Sequence, residues 1–151
     1  MSRLVLTRLA GPVEQQVRRH CEAQYPHEAC GALFGEGDGT TAAWRVTEVK
    51  AAPNEHAGDL KRRYLVPPGF QLQAERHAFA TGQDVLGYYH SHPDHPAQPS
   101  DYDREHAWAG YLYLICSVQR GCSTALNAFA VAEQGGPFLD VQIQGEPVPT
   151  E

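Results

Sequence analysis

Three prolines within seven residues, Pro93, Pro96 and Pro99, constrain the fold of this chain more than any other feature. Proline lacks an amide hydrogen and fixes φ, so neither a helix interior nor a central strand can run through 93–99. The β-branched and aromatic run at 85–89 is predicted to be a buried strand that delivers the chain into His90-Ser91-His92-Pro93. Regular structure resumes after Ser100, with a short helix predicted over 101–109. A stiff loop therefore joins a strand exit bearing two histidines to a helix start bearing Ser100 and Asp103.

The remaining pattern mixes hairpins with helices. Val13, Val17 and Cys21 recur every four residues and predict an amphipathic helix over 11–24, ended by Pro26. The apolar run 29–34, the Gly-rich turn 35–39 and the stretch 41–49 read as a hairpin. A polar loop with Pro53, Asn54 and Gly58 is expected over 51–63, then a brief strand at 64–66. Pro68 opens a second helix over 68–81, in which Leu72, the stem of Arg76 and Phe79 share one face before Gly82. Strands at 111–118, 125–131 and 139–143 complete the inventory. With no repeat or linker, the pattern predicts one α/β domain over 1–144, a sandwich with a mixed sheet, and a loose tail over 145–151.

Composition excludes several classes. Apolar residues at 42% and charged residues at 20% are globular values that speak against disorder, collagen and coiled coil. No apolar run approaches the roughly 18–20 residues of a membrane span, so neither a membrane nor secretion is expected and the cytoplasm is the predicted setting. The four cysteines are expected as free thiols, because a domain of this size does not need bridges. A formal charge of −6 repels phosphate backbones, so nucleic acid is not an expected partner, and Lys61-Arg62-Arg63 reads as a solvated loop.

The chemistry converges on the proline loop. His90 and His92 are two apart, so on a strand both imidazoles face one side and can reach one ion. The loop returns Asp103 toward them as a third ligand. Two imidazoles, a carboxylate and an open fourth position are the arrangement of catalytic zinc. Ser100-x-x-Asp103 equally resembles a helix-capping box, and both readings stand at this point. A hydrolase built on such a metal also needs a base to move the proton of its water.

His90-Ser91-His92-Pro93, six residues, then Ser100-Asp101-Tyr102-Asp103 resembles the signature of the JAMM (MPN+) zinc metallopeptidases of the Mov34/PAD-1 family. The resemblance extends over about 13–131, including Gly87-Tyr88-Tyr89 and the Asn54 loop, although Asn54 fits a turn as well as a cleft edge. It implies a cytidine-deaminase-like α/β/α sandwich, with a mixed central sheet flanked by helices. It implies that Glu28, in Tyr25-Pro26-His27-Glu28-Ala29-Cys30-Gly31, is the general acid/base, and that the Ser100 hydroxyl supports the oxyanion. The short chain looks like the compact prokaryotic kind, whose substrate is a ubiquitin-like sulfur-carrier protein cut after its C-terminal Gly-Gly. A catalytically silent scaffold of the same fold, or a broader small-peptide amidohydrolase using the same zinc site, are the rival readings. The sequence leaves a homodimer open.

Other candidates are set aside. His95 lies in the loop beyond a proline and reads as an exposed histidine; His20, His27, His56, His77 and His106 have no partner at ligand spacing. His20-Cys21-Glu22 supplies half of a deaminase signature whose Pro-Cys-x-x-Cys half is absent. Cys116 and Cys122 are wrongly spaced for zinc, and a Cys30 nucleophile leaves the histidine motif unexplained.

Overall fold

Leu33 and Phe34, like Tyr88 and Tyr89, are buried neighbours in sequence, and they join different core clusters on opposite sides of the sheet. Strands with apolar residues on both faces need cover on both faces. The computed structural model describes residues 6–37, 43–53, 68–131 and 133–145. Its elements run β1 (Leu6–Leu9), α1 (Gly11–Gln24), β2 (Cys30–Gly37), β3 (Ala43–Ala51), α2 (Pro68–Thr81), β4 (Asp84–Pro93), α3 (Asp101–His106), β5 (Leu112–Gln119), β6 (Cys122–Val131) and β7 (Phe138–Gly145). Asn54, His56, the basic run 61–63, the strand predicted at 64–66 and the tail 146–151 lie outside the described residues; Gly145 closes β7.

The sheet is mixed, in the order β1-β3-β2-β4-β5-β6-β7. β4 and β5 are parallel because the chain crosses over through the proline loop and α3, while β2 pairs antiparallel with both β3 and β4. β1 pairs in parallel with β3 on one side and β7 on the other, so the sheet closes. The mixed α/β character expected from sequence is present, and the closure of the sheet through β1 is a feature the sequence did not signal. The closing strand is only four residues long and keeps Thr7 and Leu9 inward, too brief an alternation to signal a strand.

α1 places Val13, Val17 and Cys21 into the inner core, with Leu33, Tyr89 and Leu114 among their neighbours. α2 covers the outer face, but not with the face its larger side chains suggest. Phe70, Ala74 and Ala78 pack on Ala32, Phe34 and Tyr88, whereas Leu72 is 53% and Phe79 91% exposed. The bulky Phe34 and Tyr88 rings leave room for alanines, so small side chains rather than large ones mark the buried stripe. Close approach also fixes Gly31, where a Cβ would strike the Tyr89 ring and the Lys50 carbonyl oxygen.

Candidate metal centre

β4 runs through both histidines to Pro93, longer than the predicted strand, so His90 and His92 are strand residues rather than loop residues. Alternation puts them on one face. Their strand ends where Asp94 adopts φ 57°, a left-handed conformation that Asp tolerates better than most residues. That turn is held by Asp94 N–H donating to the Val118 carbonyl and by Arg120 N–H donating to Asp94 Oδ1. The loop beyond is tied down by the Ser117 hydroxyl donating to the His95 carbonyl and by Asn127 Nδ2 donating to the Ala97 carbonyl. α3 then starts at a fixed point and returns Asp103 to the histidines.

Nε2 of His90 lies 3.0 Å from Asp103 Oδ1, and Nε2 of His92 lies 3.2 Å from Asp103 Oδ2. The two Nε2 atoms are 3.2 Å apart. These three groups form a cluster able to hold a metal ion. Ligands at the usual Zn–N and Zn–O distances stand about 3.3 Å from each other at the corners of a tetrahedron, close to the separations found here. At most one hydrogen can sit between the two Nε2 atoms, whereas a cation accepts a lone pair from each nitrogen and from the carboxylate. His92 Nδ1–H donates to the Pro96 carbonyl at 2.9 Å, so that in the neutral ring the Nε2 lone pair faces the cluster.

Burial lowers the His90 pKa and outweighs the opposing pull of Asp103, keeping that ring neutral. Burial also works to lower His92, but its hydrogen bonds to Asp103 and Pro96 and the charges of Asp103 and Glu28 win, and its pKa is raised. Burial works to raise Asp103; the hydrogen bonds from His90 and His92 overcome it and hold the carboxyl well below the usual range.

Both readings of Ser100 and Asp103 hold together. Ser100 Oγ accepts from Asp103 N–H at 3.1 Å, and Asp103 Oδ2 accepts from Ser100 N–H at 2.8 Å, a complete capping box on α3. The cap aims Asp103 at the histidines, so capping and ligand geometry are one arrangement. α3 ends at His106, three residues earlier than predicted.

Glu28 sits just before β2. Cys30 pairs with His90 and Ser91 N–H donates to the Ala29 carbonyl, so Glu28 enters the sheet near His92, and the charges of His92 and Asp103 act on its carboxyl. Its Oε2 is buried with no hydrogen-bond partner among the described residues. Burial pushes its pKa up to about 7, with His92 pulling down and Asp103 pushing up. His95 is exposed and outside the cluster, and His20 and His77 are occupied by Tyr89 and Glu48. Burial and the neighbouring Glu28 push the Cys30 thiol up to about 12, which leaves no thiolate for nucleophilic chemistry. A separate cleft of about 460 Å³ is lined by Pro99, Arg104, Phe129 and Phe138 among others, and by none of His90, His92, Asp103 or Glu28.

The fold and site define a mixed α/β domain with a His-His-Asp cluster able to hold a metal ion and a half-buried acid near it. Residues 11–129 match the Prok-JAB model, described as prokaryotic homologs of the JAB domain, and the chain belongs to that family. The JAMM/MPN resemblance seen in the His90–Asp103 motif is borne out at the level of family. The chain is 40% identical over 95 residues to the desampylase of Haloferax volcanii, covering 61% of this chain and 63% of that protein. It is 32% identical over 101 residues to a Thermus thermophilus protein named "Probable TtuB-protein conjugate cleaving protease", covering 67% and 63%. The matches thus span just under two thirds of each curated relative's length. A solved structure from Salinibacter ruber is 36% identical, with a TM-score of 0.68 over 97% of this chain and 96% of that one.

Proposed function

We propose that this chain is a zinc metallopeptidase that hydrolyses the peptide or isopeptide bond after the C-terminal Gly-Gly of a ubiquitin-like sulfur-carrier protein. The observation that carries this reading is the convergence of His90 Nε2, His92 Nε2 and the Asp103 carboxylate near Glu28, whose Oε2 is buried. The donor set fits zinc. The names of the two curated relatives, a desampylase and a TtuB-conjugate cleaving protease, support a ubiquitin-like conjugate as substrate. When bound, the ion supplies Lewis-acid polarisation of the scissile carbonyl and lowers the pKa of a water toward about 7.

The chain's own residues do the rest. Glu28, with a pKa near 7, takes the proton of the attacking water and returns it to the leaving nitrogen, because a carboxyl poised there exchanges protons in both directions. Ser100 accepts the Asp103 amide with its oxygen and turns its hydroxyl hydrogen toward the developing oxyanion. The single domain over 1–144, cytidine-deaminase-like layering and a cytoplasmic setting belong to the same proposal. They are supported by helices on both faces of the sheet, by free cysteines, and by the lack of a membrane-length apolar helix among the described residues. The homodimer left open by sequence has no support in the comparisons, and the proposed reaction is complete within one chain.

Ser100 separates its two duties through a pair of variants. Ser100→Ala is expected to cost about 1 kcal/mol of stability through the lost cap and Ser100→Gly only a few tenths. Both are expected to lose about 100-fold in kcat. Thermal melting and steady-state rates check this; equal rates for Ser100→Gly and wild type would leave Ser100 with capping alone.

The function itself is tested by mass spectrometry of a sulfur-carrier protein joined through its Gly-Gly to a reporter peptide, either linearly or through a lysine ε-amine. Cleavage directly after the second glycine that stops on chelation is the expected result. No cleavage by zinc-loaded protein overturns the proposal. Equal turnover of free Gly-Gly peptides overturns the substrate class in favour of a small-peptide amidohydrolase.

A further inference from the structure

We propose that Ser91, the residue between the two histidines, is a positioning residue that sets the place of Glu28. This rests on the reading of Glu28 as the acid/base of the site. Ser91 is fully buried, and alternation along β4 turns its side chain away from those of His90 and His92. One residue past the Cys30–His90 pair, Ser91 N–H donates to the Ala29 carbonyl at 3.0 Å, the ordinary rung of an antiparallel ladder. The reciprocal rung is replaced. Ala29 N–H donates not to the Ser91 carbonyl but to the Ser91 hydroxyl, at 2.8 Å.

A side-chain acceptor lies farther from the strand axis than the carbonyl would, so the ladder splays at Ala29 while staying bonded. Glu28, one peptide earlier, leaves the sheet at an angle that the hydroxyl fixes. The other end of its segment is held to the same strand's exit, where the Tyr25 hydroxyl donates to Asp94 Oδ2 at 2.7 Å. Ser91 and Asp94 flank His92, and Tyr25 and Ala29 flank Glu28. The strand that carries a metal ligand thus grips the segment that carries the acid at two points, and the buried one is Ser91. The order of the His-Ser-His motif follows: outer residues face the ion, the middle one faces the backbone of the base.

The test uses full-length zinc-loaded protein and the lysine-linked carrier–reporter fusion, with backbone amide exchange as a readout independent of turnover. Ser91→Ala is expected to retain one zinc per chain and an unchanged KM, and to lose about 10- to 100-fold in kcat, the scale expected for a small misplacement of a catalytic group. Its Ala29 amide should exchange faster than in wild type, and Ser91→Thr, which keeps the hydroxyl, should restore both. Placed on Glu28→Gln, Ser91→Ala should cost nothing further, because the group it positions is gone. A full additional loss on that background, or an unchanged kcat with an accelerated Ala29 amide, overturns the proposal. If Ser91→Ala does not fold, Ser91→Cys, a weak acceptor of similar size, takes its place. An Ala29 amide that exchanges freely in wild type overturns it without any variant. Zinc-loaded wild type that leaves the fusion uncut defeats the peptidase reading instead, while the amide exchange still decides the bond to Ser91.

Discussion

Asp103→Asn is expected to empty the metal centre while leaving the fold in place. The asparagine keeps a side-chain carbonyl that accepts Ser100 N–H, so α3 stays capped. What it removes is the negative charge 3.0 Å and 3.2 Å from the two imidazoles. A neutral amide oxygen is a poor zinc ligand, so zinc content should fall from one per chain to background and hydrolysis with it. Circular dichroism should be unchanged, because the three ligands lie outside the core clusters. The same centre predicts a pH dependence of binding. His92 must lose its proton to bind the ion, and its pKa is raised, so protons compete from a higher pH than for an ordinary imidazole and zinc affinity falls as pH drops through that raised value. His90, lowered by burial, adds little to this competition. Competition with a chromophoric chelator between pH 8 and 5 measures the effect. Affinity that stays flat over this range would remove His92 from the ligand set.

The parts of this protein that were legible in the sequence are those governed by local spacing. α1 and α2 have the limits their prolines and periodicity predict, and the clustering of His90, His92 and Asp103 follows from a strand period of two and a proline loop. Features that depend on distant pairing were not legible. β1 is four residues whose strand character exists only because β3 and β7 accept it on either side. On α2 the sequence favoured Leu72 and Phe79, and packing chose Phe70, Ala74 and Ala78, because the facing rings of Phe34 and Tyr88 take up the space. Glu28 has no local signal at all. It reaches the centre through the pairing of Cys30 with His90, sixty residues apart in the chain, and sequence supplied it only through family resemblance. Ser91 stood inside the quoted motif without a role. A hydroxyl between two outward-facing histidines on an otherwise apolar strand was the available signal, and its partner, the Ala29 amide, is invisible without the fold. Ser100 and Asp103 show a different limit: capping and ligation looked like alternatives in sequence, yet one carboxylate serves both, its Oδ2 accepting from Ser100 N–H while facing His92 and its Oδ1 facing His90.

Glu28→Gln is expected to separate metal binding from catalysis. Glutamine has nearly the same shape, and Glu28 is not among the three clustered ligands, so zinc content and melting temperature should match wild type within error. Any change in stability should be a slight rise, since a carboxyl whose buried Oε2 has no partner becomes a neutral amide. The rate should fall by about 100- to 10,000-fold, the range associated with a general acid/base, with the loss in kcat and not in KM. The protonation that Glu28 alternates between is made accessible by burial, which lifts its pKa to about 7, so no nearby residue with an ordinary carboxyl can substitute. His92 and Asp103 act on that carboxyl in opposite directions, and burial is the larger influence. Enlarging solvent access should therefore lower the pKa and make Glu28 a weaker base, slowing the initial abstraction more than the return of the proton. The measurement is single-turnover cleavage of the carrier fusion by zinc-loaded Glu28→Gln and wild type, with zinc quantified in the same samples. A variant that keeps its zinc and cleaves at the wild-type rate would remove Glu28 from the mechanism and leave the proton transfer to solvent.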